Sequence, residues 1–284
     1  MPKAYSCRGS TNNYISRVLL RHFILIFSLF PLMDTHILEA QRVVPPKELP
    51  IPKVTIDASV HGRLECVVLL HGLVRTPRCM KKMVRFLEAE GYDVYNIGYP
   101  SNRLPVEKLT PLVFDALSKQ LGQRRYHKIH FIVHSLGSVI VRQFLKENEF
   151  NALGRIVMLA PPSQGSEVVD RLGGIFLYKW INGPAGLQLG TGPDSLPNRL
   201  GPVNFECGVL AGRKTINLYL STLFPGENDG KVSVERAKLE GMKDFRVLDV
   251  AHPFIMQNRE AMRLSLNFLR EGRFGSEISS KPES

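Results

Sequence analysis

The sequence is poor in cysteine, with four in 284 residues. Cys7 falls in a distinct N-terminal stretch, which leaves Cys66, Cys79 and Cys207. Three thiols cannot all pair within one chain. The alternatives are one disulfide beside a free thiol, or buried thiols acting as small hydrophobes. No paired CxxC spacing of a zinc site occurs, and no repeat of fixed period. No run of five like charges occurs either. The net charge of +11 is therefore spread along the chain and reads as general solubility, with no nucleic-acid partner implied. The apolar run at 23–33, FILIFSLFPLM, is 11 residues long and holds Ser28 and Pro31. That falls short of the roughly 20 apolar residues that span a bilayer.

What is present divides the chain unevenly. Lys3, Arg8, Arg17 and Arg21 precede the apolar run, and a basic region before a short apolar one reads as a secretory signal or a loose membrane anchor. Residues 1–40 are thus expected to deliver the protein out of the cytoplasm or to a membrane surface. A cleavage site after Ala40 is imperfect because Leu38 is not small. The proline-rich stretch QRVVPPKELPIPK begins a linker over 41–60. Residues 61–274 are long and apolar enough for one large domain with its own core, and 275–284 read as a flexible tail.

Within 61–274 the hydrophobic period alternates. LECVVLLHG is a buried strand; RCMKKMVRFLEAEG places Met80, Met83, Val84 and Leu87 at helical spacing and stops at Gly91. YDVYNIGYP is a strand, PVEKLTPLVFDALSKQLG a helix, KIHFIVHS a strand and LGSVIVRQFLKE a helix. GRIVMLAPP, TINLYL and FRVLDVAH read as further strands, and NREAMRLSLNFLREG as a final helix. Strands alternating with helices predict an α/β fold: a mainly parallel sheet with helices on both faces and ligands at the carboxyl ends of the strands. Residues 163–213 interrupt the alternation. They are rich in glycine and proline yet keep Phe176, Leu177, Tyr178, Trp180, Ile181 and Leu187. They read as a small cap over a pocket, with Phe176 and Trp180 as candidate substrate-binding residues, or as an ordinary helix and surface loop.

Ser135 sits where a buried strand passes at once into a helix. Such a turn lifts a hydroxyl clear of the sheet and brings the next amide, that of Leu136, to a helix N-terminus where an oxyanion can be held. Gly137 lets the backbone pass closely. His134 alternates away from Ser135 and is expected to be structural. A serine needs a base. Of eight histidines only His252 follows Ser135, as the chain order Ser, acid, His requires, and it lies at a strand end. Between them ENDGKVSV supplies Asp229 in a strong turn signal, with Glu227 as the substitute and Asp249 disfavoured by strand alternation. The second oxyanion amide falls on Leu73, after the tight turn that Gly72 allows.

VVLLHGL, VHSLGS, ENDGKVSV and VAHPFIM together resemble the α/β-hydrolase superfamily, especially small bacterial lipase-like or esterase-like enzymes. The resemblance spans roughly 61–274. It implies Ser135 as nucleophile, Asp229 as acid, His252 as base, and the Leu73 and Leu136 amides as oxyanion hole. The family pattern has glycine two residues before the serine; this chain has Val133, which should crowd the turn. The implied reaction is hydrolysis of a small-molecule or lipid carboxylic ester, with no metal or organic cofactor. A thioesterase or acyltransferase using the same residues, and a non-catalytic binding protein of the same fold, stay open as alternatives.

Overall fold

The computed structural model describes residues 64–216 and 224–275. The leader, the linker, the tail beyond Gly275 and residues 217–220 of TINLYL lie outside the described residues. Six strands form one sheet: β1 Glu65–Leu70, β2 Asp93–Ile97, β3 Lys128–His134, β4 Leu153–Leu159, β5 Cys207–Gly212 and β6 Asp244–Leu248. Their order is β2-β1-β3-β4-β5-β6, and every pairing is parallel. All carboxyl ends therefore lie along one edge.

The helices follow from the apolar spacing. α1, Lys81–Ala89, continues a 3-10 turn at Pro77–Met80 and buries Met80, Met83 and Leu87. α2, Val106–Leu121, ends at Gly122, whose φ of 56° suits glycine. α3, Leu136–Glu147, is buried along its first nine residues, and α8, Arg259–Glu271, is capped by the Asn258 side chain accepting from the Ala261 amide at 2.9 Å. Cys66, Val68 and Leu70 of β1 share a core with α2 and α3, whereas Val67 and Leu69 share one with α1 and α8. The period of two thus feeds two helix layers, one on each face.

Three short helices, α4 Glu167–Leu172, α5 Phe176–Leu187 and α6 Leu196–Leu200, make up the insertion; α7, Val234–Ala237, follows the ENDG turn. The expected insertion of 163–213 is too long. Cys207–Gly212 is strand β5, wholly buried between β4 and β6. Its sequence, CGVLAG, hides it, because glycine is depleted in strands. Here the glycines fit their neighbours: a Cβ on Gly208 would lie 2.6 Å from the Phe274 ring and 2.7 Å from that of Phe268.

The expected disulfide alternative does not form. Cys66, Cys79 and Cys207 are free thiols, and burial pushes Cys66 and Cys207 up to about 12, where they stay protonated. Among the described residues no helix is long and apolar enough to cross a membrane.

Gly208→Val should therefore destabilise the fold by about 1–3 kcal/mol through overpacking against two immobile rings. The midpoint of urea unfolding measures it; an unchanged midpoint would mean the rings yield freely.

Candidate active site

Among the described residues three non-glycine residues have positive φ: Val74, Ser135 and Ala160. They follow β1, β3 and β4, so backbone strain gathers at the carboxyl edge of the sheet. Ser135 has φ 51° and ψ −115°. Its amide donates to the Leu159 carbonyl at 2.9 Å, and its carbonyl accepts from the Ser138 amide at 3.0 Å and the Ser138 hydroxyl at 2.6 Å. Val133 is fully buried without interrupting the pairing of β3 to β1 and β4 at that register. The crowding falls elsewhere. A Cβ on Gly137 would lie 2.9 Å from Leu70 Cβ, and one on Gly72 would lie 2.6 Å from His134 Nδ1 and 3.1 Å from Ser135 Cβ. Both glycines let the β1 loop close over the turn.

The Ser135 side chain points at a histidine. Its Oγ lies 3.1 Å from His252 Nε2, and His252 Nδ1 lies 2.8 Å from Asp229 Oδ2. A carboxylate can only accept, so the proton sits on Nδ1 and Nε2 is free to take the serine proton. Asp229 is itself fixed. Its Oδ1 accepts from the Lys231 amide at 3.0 Å and the Val232 amide at 2.8 Å, and its carbonyl accepts from the His252 amide at 3.0 Å. Ser135, Asp229 and His252 are all buried. Glu227 and Asp249 lie elsewhere: Glu227 pairs with Arg213 at 3.8 Å, and Asp249 with Arg213 at 2.5 Å and Lys214 at 3.7 Å.

Comparison with solved structures follows this geometry. The chain is similar to the mature form of the Bacillus licheniformis lipase BlEst2, with a TM-score of 0.58, 18% identity, and coverage of 78% of this chain and 96% of that one. It is similar to the phospholipase PlaB of Legionella pneumophila in complex with thio-NAD, at 0.54 and 18%, over 74% of this chain and 62% of that one. It is also similar to the metagenomic carboxyl esterase MGS0156, at 0.50 and 18%, over 74% and 69%. The chain has the α/β-hydrolase fold. No family model and no curated protein matches it.

In this α/β-hydrolase fold the amides of Leu73 and Leu136 have no protein acceptor among the described residues. Leu136 opens α3, so its amide is one of the unpaired donors of a helix start. Residues that sequence reasoning did not single out hold the Leu73 loop. The His71 ring stacks on Tyr99 at 4.2 Å, donates through Nδ1 to the Gly72 carbonyl at 2.9 Å and accepts the Tyr99 amide at 3.4 Å. The Tyr99 hydroxyl donates to the His71 carbonyl, and the Val74 amide to Ser101 Oγ at 3.0 Å. The Tyr-Pro-Ser triplet after β2 looks like any strand end in the sequence. His134 does more than support its strand. Its Nε2 donates to the His252 carbonyl at 3.2 Å and its ring lies 4.8 Å from that of His252.

Phe176 and Trp180 are the residues the sequence offered as substrate-binding. They are 81% and 72% exposed. In α5, positions 176 and 180 share one face and 178 and 182 the other; Tyr178 and Asn182 turn inward and the two large rings outward. What meets the site is the far half of α5, after a kink at Gly183 and Pro184: a Cβ on Gly186 would lie 2.9 Å from Leu73 Cδ2. The insertion is tied down by Arg142 of α3, unmarked in the sequence, whose guanidinium donates to the carbonyls of Ser163, Pro197 and Gly201 at 3.0, 3.1 and 2.8 Å.

Burial lowers His71 to about 4 and holds His134 well below its ordinary value, with the charges of His252 and Arg75 adding to the effect; it lowers His130 too, against a pull from Glu65. The unfolded chain binds protons at these sites from about pH 6.5 downward, and the folded chain does not. The stabilisation is complete above that pH and is lost as pH falls toward 4, by up to about 1.4 kcal/mol per pH unit for each such histidine. The melting temperature should accordingly drop steadily from pH 7.5 to pH 5; a flat or rising trend would contradict neutral histidines in the core.

Proposed function

We propose that the protein is a serine hydrolase that cleaves carboxylic esters through an acyl-serine intermediate. The observation that carries this reading is the unbroken chain from Asp229 through His252 to Ser135, beside two amides with no acceptor among the described residues. A lone serine at a strand end would not need a buried histidine aimed at it and a buried carboxylate behind that histidine.

Each group has a step. Ser135 Oγ attacks the carbonyl carbon as its proton passes to His252 Nε2. The imidazolium so formed faces Asp229, which stays ionised and stabilises it. The carbonyl oxygen becomes an oxyanion and takes the Leu73 and Leu136 amide hydrogens, each donor contributing about 2.7–4 kcal/mol to the transition state. Collapse breaks the ester C–O bond, and His252 returns its proton to the leaving alcohol. A water then attacks the acyl-serine, giving its proton to His252, and the carboxylic acid leaves as Ser135 is reprotonated. The likeness in fold to a lipase, a phospholipase and a carboxyl esterase supports an ester over other acyl compounds.

Ser135→Ala should reduce cleavage of a short-chain chromogenic ester by several powers of ten, with the circular dichroism of the fold unchanged. A variant that keeps more than about a tenth of the activity would sink the reading. A fluorophosphonate probe should label the natural protein and not this variant. Among carboxylates, Asp229→Asn should cost about three to four powers of ten in kcat, since the amide cannot hold the same tautomer. Glu227→Gln should leave the rate within about twofold, as expected of a surface carboxylate that touches only Arg213. The reverse pattern would reassign the acid.

A further inference from the structure

The peptide that joins Gly72 to Leu73 carries one of the two oxyanion amides, and its direction is set from its other end. In a trans peptide the carbonyl and the amide hydrogen share a plane and point opposite ways. Whatever holds the Gly72 carbonyl therefore aims the Leu73 N–H. That carbonyl accepts from Nδ1 of His71 at 2.9 Å, and His71 is fully buried. The Leu73 amide has no protein acceptor among the described residues.

The plane needs such a hold. Gly72 cannot carry a side chain, because a Cβ there would lie 2.6 Å from His134 Nδ1 and 3.1 Å from Ser135 Cβ. Glycine restrains its own dihedrals least, so the peptide that follows it is the easiest in the loop to turn over. A reversed plane would present the Gly72 carbonyl, an acceptor, where an oxyanion needs a donor. The planes on either side are held as well. The Tyr99 hydroxyl donates to the His71 carbonyl, and the Val74 amide donates to Ser101 Oγ at 3.0 Å.

The His71 ring has one arrangement. Tyr99 stacks on it with ring centres 4.2 Å apart and 8° between the planes. Nε2 accepts the Tyr99 amide at 3.4 Å, so the proton sits on Nδ1 and is donated to Gly72. Burial keeps the ring neutral by lowering it to about 4, which preserves this tautomer. Tyr99 thus grips His71 through its amide, its ring and its hydroxyl, and His71 grips Gly72.

Building on the hydrolase reading, we propose that His71 is a positioning residue for the reaction: its Nδ1–H fixes the Gly72–Leu73 peptide with the Leu73 amide turned to the oxyanion, and Tyr99 holds His71 in that task. Neither side chain needs to touch substrate. The bond to Gly72 exists before substrate arrives, so the donor is preorganised. Its benefit falls in the transition state, when the carbonyl oxygen gains its charge.

Two substitutions separate the donor from the ring. His71→Phe keeps a ring against Tyr99 and removes the donor; His71→Asn removes the ring and keeps an N–H near the Nδ1 position. On a short-chain ester, His71→Phe should lower kcat by about tenfold to a hundredfold with KM within about twofold, and His71→Asn should stay within about fivefold of the natural kcat. A trifluoromethyl ketone provides an oxyanion without turnover: Ser135 Oγ adds to its carbon, the serine proton passes to His252, and the ketone oxygen takes the charge. Its affinity should fall in His71→Phe by the same factor as kcat, while that of the matched methyl ketone stays unchanged. In protein labelled with nitrogen-15 leucine, the Leu73 amide resonance should move when the trifluoromethyl ketone binds, and move less in His71→Phe. Tyr99→Phe, which loses only the hydroxyl, should lower kcat by about fivefold and serves if His71→Phe does not fold. Natural kcat and ketone affinity in His71→Phe, or in Tyr99→Phe where that variant stands in, overturn the proposal. So does a His71→Asn protein as impaired as His71→Phe, which would make the ring a packing element. A natural protein that cleaves no ester, and whose Leu73 amide ignores the ketone, overturns the hydrolase reading and this one with it.

Discussion

The bond from the Ser135 amide to the Leu159 carbonyl holds the end of β3 against β4 while the chain reverses into α3. It has to offset a left-handed backbone at a residue with a Cβ, which costs on the order of 1–3 kcal/mol. Two further bonds from Ser138 to the Ser135 carbonyl complete the restraint. Because the turn is held from both sides, Oγ has little choice of direction. Everything else at the carboxyl edge is arranged around it. Gly72 and Gly137 admit the β1 loop, Asp229 fixes the backbone amide of His252, and His134 fixes the carbonyl of the same residue. His252 is thus held by its backbone at both ends before its ring makes a single bond.

Several polar groups in this edge are buried, among them His71, His134 and Asp229, and the bonds they make bear on which histidines are neutral. His71 and His134 donate to carbonyls through one nitrogen, which suits the uncharged imidazole that burial demands. Asp229, by contrast, receives three donors on its carboxylate, from Lys231, Val232 and His252. The neutral histidines bond to backbone carbonyls, whereas His252 lies between a serine and a carboxylate.

Much of this was legible in the sequence, for identifiable reasons. Helical spacing located α1, α2, α3 and α8, and the apolar runs located β1, β2, β3, β4 and β6, because each buries side chains that carry the period. Ser135 was legible from the abruptness of the strand-to-helix change, and His252 from chain order alone. β5 was not, because two of its six residues are glycines whose reason is tertiary: rings from α8 and its C-terminal extension occupy the space a side chain would take. The outward direction of Phe176 and Trp180 was not legible from their aromatic character alone, because it depends on the phase of the helix. Tyr99, Ser101 and Arg142 carry no local pattern, since their partners are carbonyls and amides far along the chain.

The placement of Arg142 bears on how the site keeps its width. Ser163, Pro197 and Gly201 lie at the two ends of the insertion, and one guanidinium from α3 holds all three carbonyls. The same helix begins at Leu136, whose amide stands beside the Ser135 hydroxyl. The insertion and Ser135 are therefore both referenced to a single rigid element and not to each other through a loop. Glycine contacts finish the fit, with Gly186 against Leu73 and Gly183 against the Asn102 carbonyl. Side chains at those two points would wedge α5 away from the loop that presents the Leu73 amide. The exposed rings of Phe176 and Trp180 take no part in this attachment, whereas Tyr178 is buried in the core. The inner face of the insertion is fixed by the carbonyls that Arg142 holds, by close glycine contacts and by buried side chains such as Tyr178, Leu196 and Leu200.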